Sequence, residues 1–336
     1  VERVVFLKSK FFKIIVAWAI TVIALYYAFH SVDWNELLAH LKTADKTYII
    51  LAILLTCSSY LFRARRWQFL FPEKPSISYI DSARVLILGF FMNNILPARA
   101  GEIVRAHMGS KATGLTRTLV LATVASERLL DGLALSLFFV VFSVGIGGEQ
   151  ISHELLYVAY FFAVAAAGVG VLIYFRESIF LIIEKLNNRL GHKAADFTLK
   201  RIKVFIDGLT PMFDKSRFGI VVLWSIFIWS IELSVYTFVA LAFGVELSIA
   251  FYVLFLVVVN FSSLIPAAPG GIGVIEAVTK TVLVSVGLDA ELALALVITQ
   301  HLIQYLVVCI PGAIIMFTWR DRIRAVEGSG EPVAQG

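Results

Sequence analysis

The sequence predicts an all-α polytopic membrane protein with about six full transmembrane helices and two re-entrant helical hairpins in an inverted-repeat arrangement. Hydrophobic residues make up 59% of the 336 residues and charged residues only 16%, a composition that no soluble core of this size requires. Several apolar runs approach 20 residues, the length that crosses a hydrocarbon core of about 30 Å. Two shorter apolar segments are interrupted by similar motifs in the two halves of the chain.

The N-terminal region, residues 1–47, is expected to hold one span and one external interfacial segment. The span covers Phe11–Phe29 after a basic lead, and no small-residue cleavage site follows it, so we expect it to be retained. The mixed segment that follows is expected to lie at the headgroups, anchored by Trp34.

The first half of the membrane region is predicted over residues 48–175. Its first span, Tyr48–Phe62, is followed at once by Arg63, Arg65 and Arg66. Because basic residues are enriched in cytoplasmic loops, this end of the span is expected to face the cytoplasm.

A re-entrant hairpin is predicted next, over residues 80–110, opening toward the cytoplasm. Full spans are predicted at Leu119–Ile146 and Leu155–Phe175, joined by an external loop without Lys or Arg. Residues 176–217 hold nine Lys and Arg and are expected to form a basic cytoplasmic connection that faces anionic lipid headgroups.

The second half is predicted over residues 218–319. Phe218–Phe243 crosses outward, a second re-entrant hairpin occupies residues 249–286 and opens from outside, and Leu292–Thr318 returns to the cytoplasm. Hairpins that open from opposite sides are typical of an inverted repeat.

Residues 1–320 are thus interpreted as a single transmembrane domain, and residues 320–336 as a disordered cytoplasmic tail. Both termini are expected in the cytoplasm, and the protein in the plasma (inner) membrane.

Each predicted hairpin contains a motif that stops a helix. Proline removes a backbone donor and glycine lets the chain reverse. Val85–Pro97 would form only about 20 Å of helix, too short to cross the bilayer; the alternative is a pair of kinked full-span helices. The residues at the two hairpin tips are Pro97, Gly101, Pro266, Gly270, Gly271 and Gly273.

Three motifs together resemble a known membrane family. They are Leu-Pro-Ala-Arg-Ala-Gly-Glu at Leu96–Glu102, Ser-Glu-Arg-Leu-Leu-Asp at Ser126–Asp131, and a Pro- and Gly-rich motif at Pro266–Glu276. From them the chain is identified as similar to the flippase-like family that includes the transmembrane region of lysylphosphatidylglycerol synthase, over roughly Phe11–Trp319. The resemblance implies movement of a phospholipid or glycolipid between leaflets.

Charged residues at the first break are candidates for a substrate site. Arg99 lies at the tip, and Glu102 and Arg105 follow on one face of the returning half-helix. Guanidinium groups bind phosphate in a bidentate fork, so Arg99 and Arg105 could hold a lipid phosphate. Alternatively, Arg99 pairs with Glu102, and Arg105 snorkels to the cytoplasmic surface.

Glu127, Arg128 and Asp131 are predicted to lie inside a span, about 12 to 18 Å from its start. A charge at such depth costs roughly 2.5 to 3.5 kcal/mol on insertion scales, so each needs a partner or water. Arg128 could hold an anionic headgroup, and the carboxylates a cationic substituent or a proton. The alternative is a structural triad in which Arg128 satisfies both carboxylates.

Glu276 opens the returning half-helix of the second hairpin, where it could bind substrate or a proton, or only cap the helix. Lys280, one turn later, could pair with it. Glu232 is predicted deep in its span, with Arg128, Lys280 or His301 as its partner.

Gln300, His301 and Gln304 fall near the middle of the last span. Gln300 and His301 are candidates for the substrate site, and His301 could couple transport to protons. The alternative is that the amides join helices through hydrogen bonds and that His301 has a structural partner.

Motifs for other chemistry are missing from the sequence: it has no GxxxxGK[ST] loop, no HExxH, no CxxC and no GxSxG. We therefore expect no catalytic residue, no metal, no cofactor and no enzyme activity. The expected partners are membrane lipids, whether anionic or aminoacylated phospholipid or glycolipid, together with a soluble transferase or a second copy of the chain, and not nucleic acid.

The preferred interpretation is a lipid translocase that passes a headgroup through a polar intramembrane cavity. One alternative is a membrane subunit that presents a lipid acceptor to a separate aminoacyl- or glycosyl-transferase. The other is a proton-coupled carrier of a small anion.

Overall fold

A computed structural model describes residues 18–72, 77–96, 99–143, 193–214, 216–265 and 269–319, with isolated positions between residues 164 and 181. All regular structure in these ranges is helical, and they contain no β-strand. The prediction of an all-α protein is therefore confirmed.

Six helices lie within the described residues up to position 143, and two of them begin at aspartate caps. Asp33 and Asp45 accept hydrogen bonds from backbone N–H groups in the first turns of α2 and α3, which satisfies donors that the helix leaves unpaired. The helices are α1 (Trp18–Phe29), α2 (Trp34–Thr43), α3 (Lys46–Phe69), α4 (Tyr79–Ile95), α5 (Gly101–Thr113) and α6 (Arg117–Ser143).

The described residues from 193 to 319 contain five further helices and two short 3-10 turns. The helices are α7 (Lys193–Leu209), α8 (Phe218–Ala242), α9 (Ile249–Ser262), α10 (Val274–Ser285) and α11 (Ala290–Thr318), with the turns at Thr210–Met212 and Pro269–Gly271. The tail at residues 320–336 and most of the predicted span at 155–175 lie outside the described residues.

Three helices among the described residues are long and apolar enough to cross a membrane. They are α3 with 24 residues, α8 with 25 and α11 with 29, while α1 and α9 are shorter apolar helices. Helix α6 has 27 residues, but Glu127, Arg128 and Asp131 interrupt its apolar character. The count of six full spans remains a prediction.

The helices end and restart at both motifs that the sequence singles out. Helix α4 ends at Ile95 and α5 begins at Gly101, while α9 ends at Ser262 and α10 begins at Val274. Pro97 and Pro266 themselves lie outside the described residues.

Helices α4 and α5 pack closely as an antiparallel pair. A side chain on Gly101 would lie 2.0 Å from the carbonyl oxygen of Gly89 and 2.6 Å from the backbone nitrogen of Asn93. One turn further along α5, Arg105 lies against Gly89. Later residues of α5 therefore contact earlier residues of α4, as in an antiparallel helical hairpin. Glycine is needed where the two backbones come closest.

Helix α9 lies at the centre of the bundle. Each residue from Ala250 to Val259 is buried, as expected for a helix that is hydrophobic all round. It packs in a core with residues of α6, α8, α10 and α11, while a second core surrounds Trp67 and Leu86. This central position brings the end of α9 close to the α4–α5 hairpin.

Candidate functional site

A cavity of about 490 Å³ lies where the two helix breaks approach each other. Its wall includes Arg99 from the first break and Gly270 and Gly271 from the second. The charged side chains along it are Arg63, Arg99, Glu102, Arg128, Asp131 and Glu232.

Two arginines of α3 enter an ion-pair network at this wall. Arg63 lies 3.5 Å from Asp131 and 3.2 Å from Glu232. Arg66, fully buried, lies 2.8 Å from Asp131 and donates to the hydroxyl of Ser225 at 3.0 Å.

Arg63 and Arg66 were predicted to lie beyond the end of a span, and this prediction is wrong. Helix α3 continues to Phe69, and only Arg65 of the three arginines is exposed. The missed signal is the spacing of Ser59, Arg63 and Arg66, which puts them on one helical face.

Arg105 is a buried partner of Glu127. Its guanidinium donates to both carboxylate oxygens, at 2.9 and 2.5 Å, and lies 4.0 Å from the centre of the Trp67 ring. Arg105 is only 2% exposed, so the idea that it snorkels to the surface is wrong. Neither residue of this pair lines the cavity, and a phosphate contact by Arg105 finds no support in this position.

Arg128 contacts three carboxylates. Its nitrogens lie 2.9 Å from Glu127, 3.6 Å from Asp131 and 3.5 Å from Glu102. The pairing with Glu127 and Asp131 matches the structural triad that was the alternative considered from sequence. Glu102 thus pairs with Arg128, and the predicted alternative of a pair with Arg99 is wrong.

Glu232 is bound by α3 and α11. It accepts from Ser59 at 2.5 Å, from Arg63 at 3.2 Å and from Gln304 at 3.4 Å. None of the three partners predicted from sequence is the one observed. Gln304 also accepts from the hydroxyl of Tyr60 at 2.8 Å, so this amide joins helices as predicted.

The network around the cavity is balanced in charge. Buried ions are tolerated in an apolar bundle when each has a close partner of opposite sign. Its members are the arginines Arg63, Arg66, Arg105 and Arg128 and the carboxylates Glu102, Glu127, Asp131 and Glu232.

Arg99 forms no ion pair with this network among the described residues. It donates to the hydroxyl of Ser263 at 2.9 Å, and within the described ranges it has no carboxylate partner. It is also the only non-glycine residue described with a positive φ, 53°. Such backbone strain is typical of functional sites. Since Ser263 follows α9, the hydrogen bond joins the two breaks.

His301 ties the second break to α11. Its Nδ1 lies 2.6 Å from Oε1 of Glu276, and its Nε2 lies 3.2 Å from the carbonyl oxygen of Gly270. A carbonyl oxygen only accepts, so Nε2 must carry a proton. The other oxygen of Glu276 accepts from the backbone nitrogen of Gly273 at 2.6 Å, which is the capping role considered from sequence.

Two further contacts hold the second break in place. Gly270 has φ 71°, and a side chain there would lie 1.6 Å from the hydroxyl of Tyr305, so this position needs glycine. Lys280 donates to the carbonyl oxygen of Ala28 at 2.9 Å. The predicted pair of Lys280 with Glu276 is therefore wrong.

Gln300 lines the cavity without a hydrogen bond. It is 1% exposed, and neither its amide nitrogen nor its amide oxygen has a partner in the described part of the chain. Buried polar groups are normally paired, so this side chain requires an explanation.

One group of side chains has the spacing of metal ligands, away from the cavity. The ligand atoms of Glu36, His40 and Asp289 lie within 4.8 Å of one another. These residues are exposed or half-buried, and surface groups of this kind commonly occur without an ion. They do not indicate a metal site.

The comparison with known proteins decides the family. A family model described as the lysylphosphatidylglycerol synthase TM region matches residues 14–312. The chain belongs to this family. The resemblance seen in the three sequence motifs is thereby confirmed, and the cavity described above belongs to a lysylphosphatidylglycerol synthase TM region.

Relatives of this family member include two UPF0104 membrane proteins. PH1989 of Pyrococcus horikoshii is 24% identical over 327 residues, covering 92% of this chain and 96% of the relative. A protein of Methanothermobacter thermautotrophicus is 26% identical over 295 residues, covering 81% and 83%. The glycosyltransferase AglD of Haloferax volcanii is 25% identical over 359 residues, covering 95% of this chain but 56% of AglD.

The structure brings together most of the site residues predicted from sequence. Six of them line the cavity: Arg99, Glu102, Arg128, Asp131, Gln300 and His301. Arg105, Glu127 and Glu276 are not part of the cavity wall; they hold residues that are close to it.

Proposed function

We propose that this lysylphosphatidylglycerol synthase TM family member moves a lipid headgroup between the two leaflets of a membrane. The headgroup passes through the polar cavity while the acyl chains stay in lipid. The observation that carries this proposal is a cavity of about 490 Å³, lined by charged side chains and set among apolar helices. Ionisable groups within a membrane usually mark the path of a substrate.

The proposal includes two re-entrant hairpins in an inverted repeat. Helices α4, α5, α9 and α10 have 17, 13, 14 and 12 residues, or about 26 to 18 Å of helix, less than a bilayer core of about 30 Å. Broken helices at membrane depth occur where they are packed in protein or line a cavity. With six full spans both termini would lie on the same side of the membrane, and we propose that this side is the cytoplasm.

In this mechanism Arg99 holds the lipid phosphate. Its partner is the neutral hydroxyl of Ser263, and a guanidinium binds an ionised phosphate more strongly than a neutral acceptor. The protein acts as a translocase and not as an enzyme, and it needs no cofactor. The lipid either moves down its gradient or is coupled to protons at the His301–Glu276 pair.

Purified protein in liposomes tests the proposal directly. A lipid labelled on its acyl chain is included in the liposomes, and a membrane-impermeant quencher is added outside. The time course of the fraction of labelled lipid that is quenched gives the rate of exchange between leaflets. Arg99→Ala should slow exchange about tenfold or more, because it removes a hydrogen bond between charged groups. Arg99→Lys should retain part of the rate, and Arg84→Ala on α4, whose side chain is 43% exposed, serves as control. A folded Arg99→Ala that exchanges lipid at the parent rate would contradict the mechanism.

A second function is favoured by one comparison. The chain aligns over 95% of its length with 56% of AglD, a protein named as a glycosyltransferase. The chain could therefore present a lipid acceptor to a separate glycosyl- or aminoacyl-transferase. This alternative predicts that a soluble transferase co-purifies with the protein, and that liposomes containing the protein alone show no lipid exchange.

A further inference from the structure

We infer that one proton shared by His301 and Glu276 holds the second break against α11, and that loss of this proton frees the break and speeds lipid exchange. The effect on exchange rests on the proposed translocation, whereas the effect on the break does not. Three features carry the inference: the protons that the pair requires, the backbone that it holds and the position of His301 at the cavity.

The contacts of His301 determine how many protons the pair carries. Its Nε2 lies 3.2 Å from the carbonyl oxygen of Gly270, which only accepts, so Nε2 carries a proton. Its Nδ1 lies 2.6 Å from Oε1 of Glu276, a contact that requires a second proton between the two atoms. An imidazole with Nε2 protonated and a carboxylate that share one further proton are neutral overall.

Loss of the shared proton breaks one of these two contacts. A neutral imidazole has a single N–H group and cannot donate to Gly270 and to Glu276 at the same time. If the remaining proton stays on Nε2, the lone pair of Nδ1 faces a carboxylate oxygen and repels it. If the proton moves to Nδ1, the carbonyl oxygen of Gly270 loses its donor. The second break is held less firmly in either case.

The second break is built from glycines, whose backbone does not favour one shape by itself. Gly270, Gly271 and Gly273 have φ angles of 71°, 74° and 86°, and glycine enters and leaves this region without a steric penalty. The other oxygen of Glu276 accepts from the backbone nitrogen of Gly273 at 2.6 Å. The pair therefore contacts the break at both Gly270 and Gly273, and side chains determine its shape.

The shared proton has a path to water, because His301 forms part of the cavity wall. The nearest other titratable side chains do not replace it. Lys280 on α10 donates to the carbonyl oxygen of Ala28, and Tyr305 on α11 contacts the imidazole with its ring, the centroids 4.9 Å apart. Within the described ranges Glu276 is the one residue that forms an ion pair with His301. The charged groups that other elements bring to the same cavity are Arg63, Arg99, Glu102, Arg128, Asp131 and Glu232.

A break that is held against α11 should slow lipid exchange. Gly270 and Gly271 line the cavity, and transporters with broken helices work by moving one such element against another. Alkaline solution removes the shared proton and frees the break. Exchange should therefore become faster as the pH rises.

The liposome exchange assay, run from about pH 5 to about pH 10 to span the titration of histidine, tests this direction. The probes are acyl-labelled phosphatidylglycerol and phosphatidylcholine, whose charges do not change over this range. We expect the parent rate to rise about tenfold toward the alkaline end, the value of one hydrogen bond to a charged group. A parent rate that is constant or falls with pH overturns the inference.

Two variants should fix the break in opposite states. In Glu276→Gln the amide nitrogen can donate to Nδ1 while the amide oxygen accepts from Gly273, so the break stays held without a shared proton and exchange stays slow at alkaline pH. His301→Phe removes both contacts of the imidazole, and exchange should be fast already at acidic pH. Glu246→Gln changes an exposed carboxylate outside the cavity wall and should follow the parent. A Glu276→Gln rate that rises with pH as the parent rate does overturns the role of the shared proton.

A spin label on the break separates this inference from the function on which it rests. Ile272 is 42% exposed, and a nitroxide is attached to Ile272→Cys after Cys57 and Cys309 are replaced by serine. We expect the label to become more mobile as the pH rises, and to stay immobile in Glu276→Gln. If the label responds but neither lipid moves, the proposed translocation fails and the control of the break stands. If lipid moves while the mobility of the label is the same at every pH, the inference is overturned, and the unmutated pair decides this even where a variant does not fold.

Discussion

Removal of Arg105 tests whether the buried network holds the bundle together. The side chains of Arg105 and Glu127 are 2% and 0% exposed and are joined by two hydrogen bonds. Breaking a buried ion pair from one side costs about 3 to 5 kcal/mol. In Arg105→Met, Glu127 keeps Arg128 at 2.9 Å and Arg66 at 4.0 Å. We therefore expect the free energy of unfolding of Arg105→Met to fall by about 3 kcal/mol, the lower end of the range for a broken buried ion pair.

The opposite substitution should be more damaging. In Glu127→Gln, three arginines lose a charged partner at once, and Arg105 keeps the Trp67 ring and a single neutral oxygen. The network also gains a net positive charge. We expect a loss of about 5 kcal/mol in the free energy of unfolding, the upper end for a broken buried pair.

Denaturant unfolding in detergent, followed by tryptophan fluorescence, measures both values. Arg84→Gln is the matched control, because Arg84 pairs with Asp81 at 3.7 Å, with side chains 43% and 26% exposed, and solvent-accessible pairs contribute about 0 to 1 kcal/mol. If Arg105→Met costs no more than Arg84→Gln, or Glu127→Gln is the milder of the two network variants, the electrostatic reasoning is refuted.

Two further substitutions test the helix breaks. Gly101→Ala places a methyl group 2.0 Å from the carbonyl oxygen of Gly89, so we expect the free energy of unfolding to fall by at least roughly 1 to 3 kcal/mol. The control is Gly219→Ala, whose methyl group meets open space and should leave the stability unchanged. Equal stability of the two variants would contradict the close approach of α4 and α5. His301→Phe removes the imidazole partner of Glu276 and leaves only its contact to the backbone of the second break. We expect the free energy of unfolding to fall by about 1 to 3 kcal/mol. A thermal unfolding temperature equal to that of the parent would show that the pair does not stabilise this break.

The positions of the helix breaks could be predicted from the sequence because their causes are local. Motifs at Pro97 and Pro266 were expected to stop helices, and α4 ends at Ile95 and α9 at Ser262. Proline and glycine act on the backbone of their own segment. The helical class likewise follows from apolar runs that are read directly from the chain.

The ion-pair partners could not be predicted because they are distant in sequence. Glu232 and Arg63 are separated by 169 residues, and no local rule relates them. Arg63 and Arg66 were misplaced for another reason: a cluster of arginines after an apolar run usually marks a cytoplasmic end. Here the helix continues past them, and their spacing turns both side chains into the bundle.

The hydrogen bond between Arg99 and Ser263 links two parts of the chain that lie 164 residues apart. In the proposed mechanism, a lipid phosphate that enters the cavity offers Arg99 a charged acceptor that competes with the neutral hydroxyl of Ser263, and we predict that headgroup binding weakens the contact between the two breaks. On this proposal the hydrogen bond to Ser263 holds the two breaks together until a phosphate competes for Arg99.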